Sequence, residues 1–171
     1  MLFLQFELDG DRYALDATRI AQVLAYAPAR PIPGTPAWIA GVIEHDGEPV
    51  PVVDVSQLAL GRPARAFRST RLVLMRYRVG AVADTGDENN ESTHETTRLL
   101  GLIVEHATRT YRFERDAFAD SGVATPHARW LGPVASDAEG LVQWVDVAQM
   151  LDDDMKALLF PVAPSTPTAQ S

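Results

Sequence analysis

WIAGVIEHDGEPVPVVDV, residues 38–55, contains the clearest local signal in the chain. Two apolar runs, Ile39 to Glu44 and Glu48 to Val55, flank the step Asp46-Gly47. An Asp-Gly pair between such runs predicts a tight β-hairpin. Pro49 and Pro51 sit inside the second run. Proline cannot donate to a ladder, so the second strand is expected to leave one side at a sheet edge. Being two residues apart, the prolines point the same way, and their missing N–H groups lie along one edge. Two readings stay open: protection against accidental strand addition, and a surface that meets a partner through side chains alone.

Working outward, Leu2, Leu4, Phe6 and Leu8 alternate with Gln5, Glu7 and Asp9, which predicts a strand with one wet face. Asp9-Gly10 signals a second hairpin, with a returning strand at RYAL. Asp16 can cap a short helical turn in ATRIAQVL. A proline-rich loop follows, with Pro28, Pro31, Pro33 and Pro36. RLVLMRY, residues 71–77, is apolar on both faces, as in a central strand. β structure resumes from Arg98 to Phe113, a helical turn is expected in RDAFAD, and short strands are expected around Trp130 to Val134 and in GLVQWVDV. Asp146 is then expected to cap one helix through VAQMLDDDMKALLF.

Two segments lack the apolar residues needed for order. Residues 83–97 hold Asp84, Asp87, Glu88, Glu91 and Glu95 with no large apolar residue, and read as a flexible acidic loop. Residues 161–171 read as a disordered Pro/Ser/Thr-rich tail. Residues 1–160 are expected to form a single domain of two intertwined parts. VDVSQL (53–58) and VDVAQM (145–150) match, each ending a strand and opening a turn through an aspartate. Two copies of a small five-stranded barrel would give this layout.

Composition narrows the function. The chain has 171 residues, is 46% hydrophobic, carries a net charge of −8 and has no cysteine. The negative charge argues against a general nucleic-acid binder. Cysteine chemistry is excluded, and a reducing compartment fits. No run approaches the roughly 18 apolar residues of a membrane span, and the start lacks the features of a signal peptide. Arg62, Arg65, Arg68 and Arg71 form either a solvated linker or a partner-binding patch.

Among the histidines, His45, His94, His106 and His127, none has a second histidine at helical ligand spacing. His45-Asp46 could be one corner of a metal site, but no third ligand is near in sequence. Asp152, Asp153 and Asp154 are consecutive and cannot converge on one ion from a helix. Trp38, Trp130 and Trp144 read as core or groove walls. No nucleotide-binding or nucleophile motif is present. Neither a catalytic residue, a metal nor a cofactor is expected. The residues point to a protein that binds proteins.

The order of these signals resembles the CheW-like domain family of bacterial chemosensory adaptors, over about residues 2–160. The resemblance rests on FLQFELDGDRYALDATRIAQVL, IPGTPAWIAGVIEHDGEPVPVVDVSQLALG, RLLGLIVEHATRTYRF and LVQWVDVAQMLDDDMKALL. It implies a mainly β fold of two SH3-like five-stranded barrels around a shared core, with short helices and a C-terminal helix. It also implies a cytoplasmic, non-catalytic adaptor at receptor arrays on the inner face of the membrane. That adaptor would join the cytoplasmic tip of a methyl-accepting chemoreceptor to the regulatory domain of a CheA-type histidine kinase. By this resemblance Ile20 and Leu72 belong to an apolar receptor groove between the barrels, and Asp46 to the receptor contact. Val42, Glu48, Val50 and Val52 belong to the kinase-docking surface. The family's usual turn, Asn-Leu-Arg-Gly, is here Glu44-His45-Asp46-Gly47. That reversal of charge argues against service in the main chemotaxis array, and the opening MLFLQF, the histidine in the turn and the stretch LALGRPA look more like the Wsp-type surface-sensing branch, whose output is cyclic-di-GMP. The alternative is a small-ligand sensor or enzyme using the same groove, which would need convergent polar groups there.

Limited proteolysis is expected to cut first between Ala83 and Thr97 and to leave two associated fragments. A loop as resistant as the strands would contradict the composition argument.

Overall fold

The computed structural model describes residues 1–79, 96–123 and 125–161. The expected tail lies outside these residues except for Pro161. The expected acidic loop lies outside them except for Thr96 and Thr97, which begin a strand.

Among the described residues, ten strands form two sheets. They are β1 (Leu2–Leu8), β2 (Asp11–Asp16), β3 (Ile20–Ala25), β4 (Ile39–His45), β5 (Glu48–Asp54), β6 (Arg71–Val79), β7 (Thr96–Val104), β8 (Arg109–Arg112), β9 (Leu131–Asp137) and β10 (Gly140–Val145). Two short helices, α1 (Val55–Leu60) and α2 (Asp153–Leu159), complete the main elements. One sheet runs β3-β6-β7-β5-β4 and the other β8-β1-β2-β10-β9.

These two orders are the same once β8, β9, β10, β1 and β2 are set against β3, β4, β5, β6 and β7. The duplication read from VDVSQL and VDVAQM is therefore structural, and the second copy is built from both ends of the chain. Details repeat as well. The Asp54 N–H donates to the Trp38 carbonyl at 2.8 Å, and the Asp146 N–H to the Trp130 carbonyl at 2.7 Å. Arg30 bridges Val42 as Ala119 bridges Val134. Each outer hairpin has a register shift, and each closes on a two-residue turn, between His45 and Glu48 or between Asp137 and Gly140. In both copies the joining contact is parallel, β5 with β7 and β10 with β2.

The prolines are explained by this register. Pro49 faces Glu44 and Pro51 faces Val42, alternating with the pairs His45–Glu48 and Ile43–Val50. Counting from the turn, both prolines fall at non-hydrogen-bonded pairs, so their nitrogens point away from β4. β5 pairs with β7 only over Val52–Asp54. The strand is thus an edge in its first half and internal in its second, which refines the expected edge.

The core is continuous across both barrels. Phe6, Leu8 and Leu15 from one sheet and Val73, Leu100 and Leu102 from the other are fully buried in one cluster. Each barrel adds its own interior: Val50, Val52, Leu72, Leu74 and Ile103 in one, and Phe3, Ala14 and Val142 in the other. The wet face expected of β1 is absent. Phe3 is fully buried against Phe113, Phe118 and Trp144, with ring centroids 5.1–6.1 Å away. Gln5 is buried too, and matches Leu74 in the other barrel, as Arg12 matches Leu99. Arg12 donates to both carboxylate oxygens of Asp137 and to the Gly140 carbonyl, so its buried charge is paired.

Two helix expectations change. Asp16 does cap a turn, accepting from the Thr18 N–H, but the turn ends at Arg19 and IAQVLA becomes β3. Pairing of Ile20–Ala25 with β6 outweighs the weak helical preference of so short a segment. The C-terminal helix is divided. Val147–Gln149 is a single turn without a side-chain cap from Asp146, and α2 starts afresh where Asp152 accepts from the Met155 N–H at 2.7 Å.

Of the spaced arginines, Arg62 is neither linker nor patch. It binds the carboxylates of Glu105 and Asp9 at 2.8 and 2.6 Å, tying the β1–β2 turn to the other barrel. Glu105 is 1% exposed. Burial pushes its carboxyl up, but Arg62, the Arg65 N–H and Ser56 together outweigh this and hold it below its ordinary value.

Gly41 has φ +140°, and a Cβ there would stand 2.0 Å from the Arg30 carbonyl oxygen. No side chain can shift to relieve a clash with backbone. Gly41→Ala is therefore expected to lose the cooperative thermal transition or lower its midpoint far more than Gly47→Ala, whose added Cβ meets nothing. Melting curves of the two variants provide the comparison.

Candidate protein-binding site

The residues that the resemblance assigned to binding are not equivalent in the structure. Leu72 is 1% exposed, Val50 3% and Val52 0%. All three belong to one barrel interior, so they shape the surface from beneath and cannot touch a docked partner in this conformation. Val42 is half-buried, and its backbone exchanges two 2.9 Å hydrogen bonds with Arg30. Asp46 and Glu48 are exposed at the β4–β5 turn. The Asp46 side chain is 90% exposed and lies 3.4 Å from His45 Nε2. Ile20 sits on β3, the opposite outer strand of the sheet, and packs partly against the shared core.

The turn geometry follows from composition. Asp46 has φ +50° and Gly47 φ +78°, the left-handed pair that a two-residue turn requires. Aspartate tolerates that region better than most residues.

Between the two barrels lies an open cleft of about 800 Å³. Its walls include Met75, Phe118, Pro133 and Trp144, but also Arg19, Arg76, Arg78 and Arg115, with Asp16 and Asp146. This cleft is thus more polar than an aliphatic and aromatic groove. The reason lies in β6. Met75 and Tyr77 point inward and are buried, so the alternate residues Arg76 and Arg78 point outward. That period-2 signal was available in RLVLMRYRV. Arg19 and Arg115 had no such signal, because each lies in a three-residue turn whose place is set by distant pairing.

The cleft is held firmly. Arg76 donates to the carbonyls of Thr18 and Ile20 at 3.3 and 3.1 Å. Asp16 is occupied with the Thr18 N–H and hydroxyl. Trp144 and Phe118 stack edge-on with centroids 5.1 Å apart, so Trp144 is both barrel core and groove wall. Trp38 and Trp130 instead border a second recess of about 540 Å³ with His127, Arg129 and Lys156. Among the described residues no group of three or more histidine, aspartate or glutamate side chains could hold a metal ion. No helix of the described residues is long and apolar enough to cross a membrane.

A family model described as the CheW-like domain matches residues 2–155. The chain belongs to the CheW-like domain family. Its members are adaptors of chemotaxis-type signalling. It is similar to the protein FrzA of Myxococcus xanthus, with 35% identity over 86 residues, or 48% of this chain and 54% of that protein. The match spans about half the length of that curated relative. The fold is that of the solved scaffolding protein TtCheW from Thermoanaerobacter tengcongensis, at a TM-score of 0.69 and 17% identity. That likeness covers 88% of this chain and 87% of the other. The mainly β architecture of two five-stranded sheets is thereby established, and SH3-like barrels are consistent with it.

Ile20→Glu places a charge against the core and is expected to lower the melting temperature by about 5 °C, from a cost of about 2 kcal/mol. Val23→Glu on the same strand, at a position 44% exposed, is expected to leave it unchanged. Calorimetric melting of both variants checks the difference.

Proposed function

We propose that this chain is a non-catalytic adaptor that couples a methyl-accepting chemoreceptor to a CheA-type histidine kinase. The observation that carries the reading is the CheW-like match over residues 2–155. The duplicated fold fits it, because two barrels fused through one core offer two faces in a fixed relation. The receptor tip occupies the inter-barrel cleft beside Ile20. The kinase regulatory domain docks on the first half of β5 and on Val42, where the prolines bar strand addition and leave contact to side chains. Residues 1–160 act as one unit, on the cytoplasmic side of a membrane where receptors cluster.

Reconstitution tests this directly. The purified chain is expected to form a ternary complex with a receptor hairpin fragment and a kinase regulatory domain from the same cell. Binding to neither would overturn the reading. The polar lining of the cleft also favours a second reading, a sensor for a small anion. Tight calorimetric binding of inorganic phosphate or a dicarboxylate, with no receptor binding, would select it.

The Wsp-type reading rests in part on the turn, with MLFLQF and LALGRPA. Asp46 reverses the sign of the family's usual arginine at an exposed position, which affects partner choice more than stability. Asp46→Asn keeps a residue suited to φ +50° and removes the charge. It is expected to leave melting unchanged and to weaken the cognate receptor pair by about 1 kcal/mol or less. Asp46→Arg is expected to lose about 1 kcal/mol of stability through the left-handed backbone and to bind an ordinary chemotaxis receptor better. Titration of wild type and both variants against the two receptor fragments decides it; equal affinities throughout would make Asp46 a turn former alone.

A further inference from the structure

The recess of about 540 Å³ shares no lining residue with the inter-barrel cleft. It takes the same two positions from each copy of the fold: Trp38 and Trp130 are equivalents, and so are Leu58 and Met150. Trp130 is 5% exposed, and its indole N–H donates to no acceptor among the described residues. A buried tryptophan ordinarily gives that hydrogen to a partner. Among the described residues no unpartnered polar side-chain atom is shut off from solvent. This N–H therefore opens on solvent, and the recess is the opening that Trp130 borders. The charges around it are not a requirement of the fold. The spacing from tryptophan to V-D-V is the same in both copies, so Arg129 stands where the other copy has Ala37, and His127 where it has Thr35. Arg129 is exposed, and no hydrogen bond or ion pair holds it among the described residues. Lys156 lies 3.9 Å from the fully exposed side chain of Asp153, a pair too long and too wet to occupy the ammonium. One Asp152 oxygen is taken by the Met155 N–H.

We infer that this recess binds a small organic acid, a single carboxylate on a compact apolar body. The carboxylate accepts from the Trp130 N–H and from Arg129, and the body rests on Trp38, Leu58 and Met150. Sites for small molecules have volumes of about 300–1,000 Å³ and apolar walls with a few convergent polar groups, which is the composition found here. A guanidinium suits a carboxylate because it offers paired donors in a fixed plane. Asp152 and Asp153 on the same rim decide the charge of the ligand. They repel a phosphate dianion more than a monoanion, whose cost Arg129 and Lys156 offset. Trp38 directly precedes β4 and Trp130 directly precedes β9. One ligand resting on both therefore ties together the roots of the two outer hairpins. The inference does not rest on the adaptor reading.

The test uses the full chain labelled with nitrogen-15 and three probes: phenylacetate, its neutral match phenylacetamide, and inorganic phosphate. The chain has three tryptophans, so the indole N–H signals in nuclear magnetic resonance report separately on the recess, through Trp38 and Trp130, and on the cleft, through Trp144. Phenylacetate is expected to shift the Trp38 and Trp130 signals saturably and to leave Trp144 in place. Phenylacetamide and phosphate at the same concentration are expected to leave Trp38 and Trp130 where they are. Arg129→Ala is expected to weaken phenylacetate about tenfold through loss of a charge-assisted hydrogen bond, with unchanged melting because Arg129 is exposed. Arg129→Lys is expected to restore part of that loss. No saturable shift at millimolar phenylacetate, equal binding of phenylacetamide, or indifference to Arg129→Ala would each overturn the inference. Movement of Trp144 alone would place the anion in the cleft and overturn it as well. The adaptor reading stands or falls separately, on the ternary complex.

Discussion

The structure depends on one parallel contact. β2 lies beside β10 over Arg12–Ala14 and Val142–Trp144, and this joins the first and last parts of the fold. Without it the second sheet would be two fragments, β8, β1 and β2 on one side and β9 and β10 on the other. Arg12 reinforces the seam, since it leaves β2 to bind Asp137 and the Gly140 carbonyl at the far hairpin. Arg62 does the same between barrels, with Glu105 on one side and Asp9 on the other. Both arginines act on segments that are remote in sequence, and each has one partner, Asp137 for Arg12 and Glu105 for Arg62, whose carboxyl is held below its ordinary value. The fold is thus stapled by charge at the places where its copies meet, while the interior between them is aliphatic and aromatic.

What the sequence made legible was local. The Asp46-Gly47 turn, the buried run in β6 and the paired V-D-V stretches needed only neighbours to be read. The errors have one common cause. β1 was expected to keep a wet face because its alternation was read without Phe3, whose partners Phe113, Phe118 and Trp144 lie far along the chain. IAQVLA was read as helical because the strand that captures it, β6, begins at Arg71. The C-terminal helix was drawn through Asp146 because helical spacing alone cannot tell which of two aspartates supplies the cap.

The candidate site was legible only in part, for the same reason. Assigning Leu72, Val50 and Val52 to contact surfaces treated apolar residues as groove walls, whereas the barrel encloses them. The exposed members, Asp46 and Glu48, fall on a turn whose position was clear from sequence. The cleft arginines converge from separate segments, so composition gave no sign of them. A chain with a net charge of −8 can still bring four arginines to one cleft, because net charge says nothing of how a fold distributes its charges.

The permuted arrangement of the second barrel also has a bearing on synthesis. Strands β3 to β7 are contiguous, so the first complete barrel can close once residues up to Val104 have emerged. The hairpin β1–β2 is made earliest, but its partner strand β10 comes last. Until then the edge of β2 that will receive β10 is unsatisfied, and Phe3 lacks the cover of Trp144. Such a waiting edge is a site for wrong association during translation. Asp9, Asp11 and Asp16 lie at its ends, and their negative charges give a growing chain some protection against a neighbour emerging beside it.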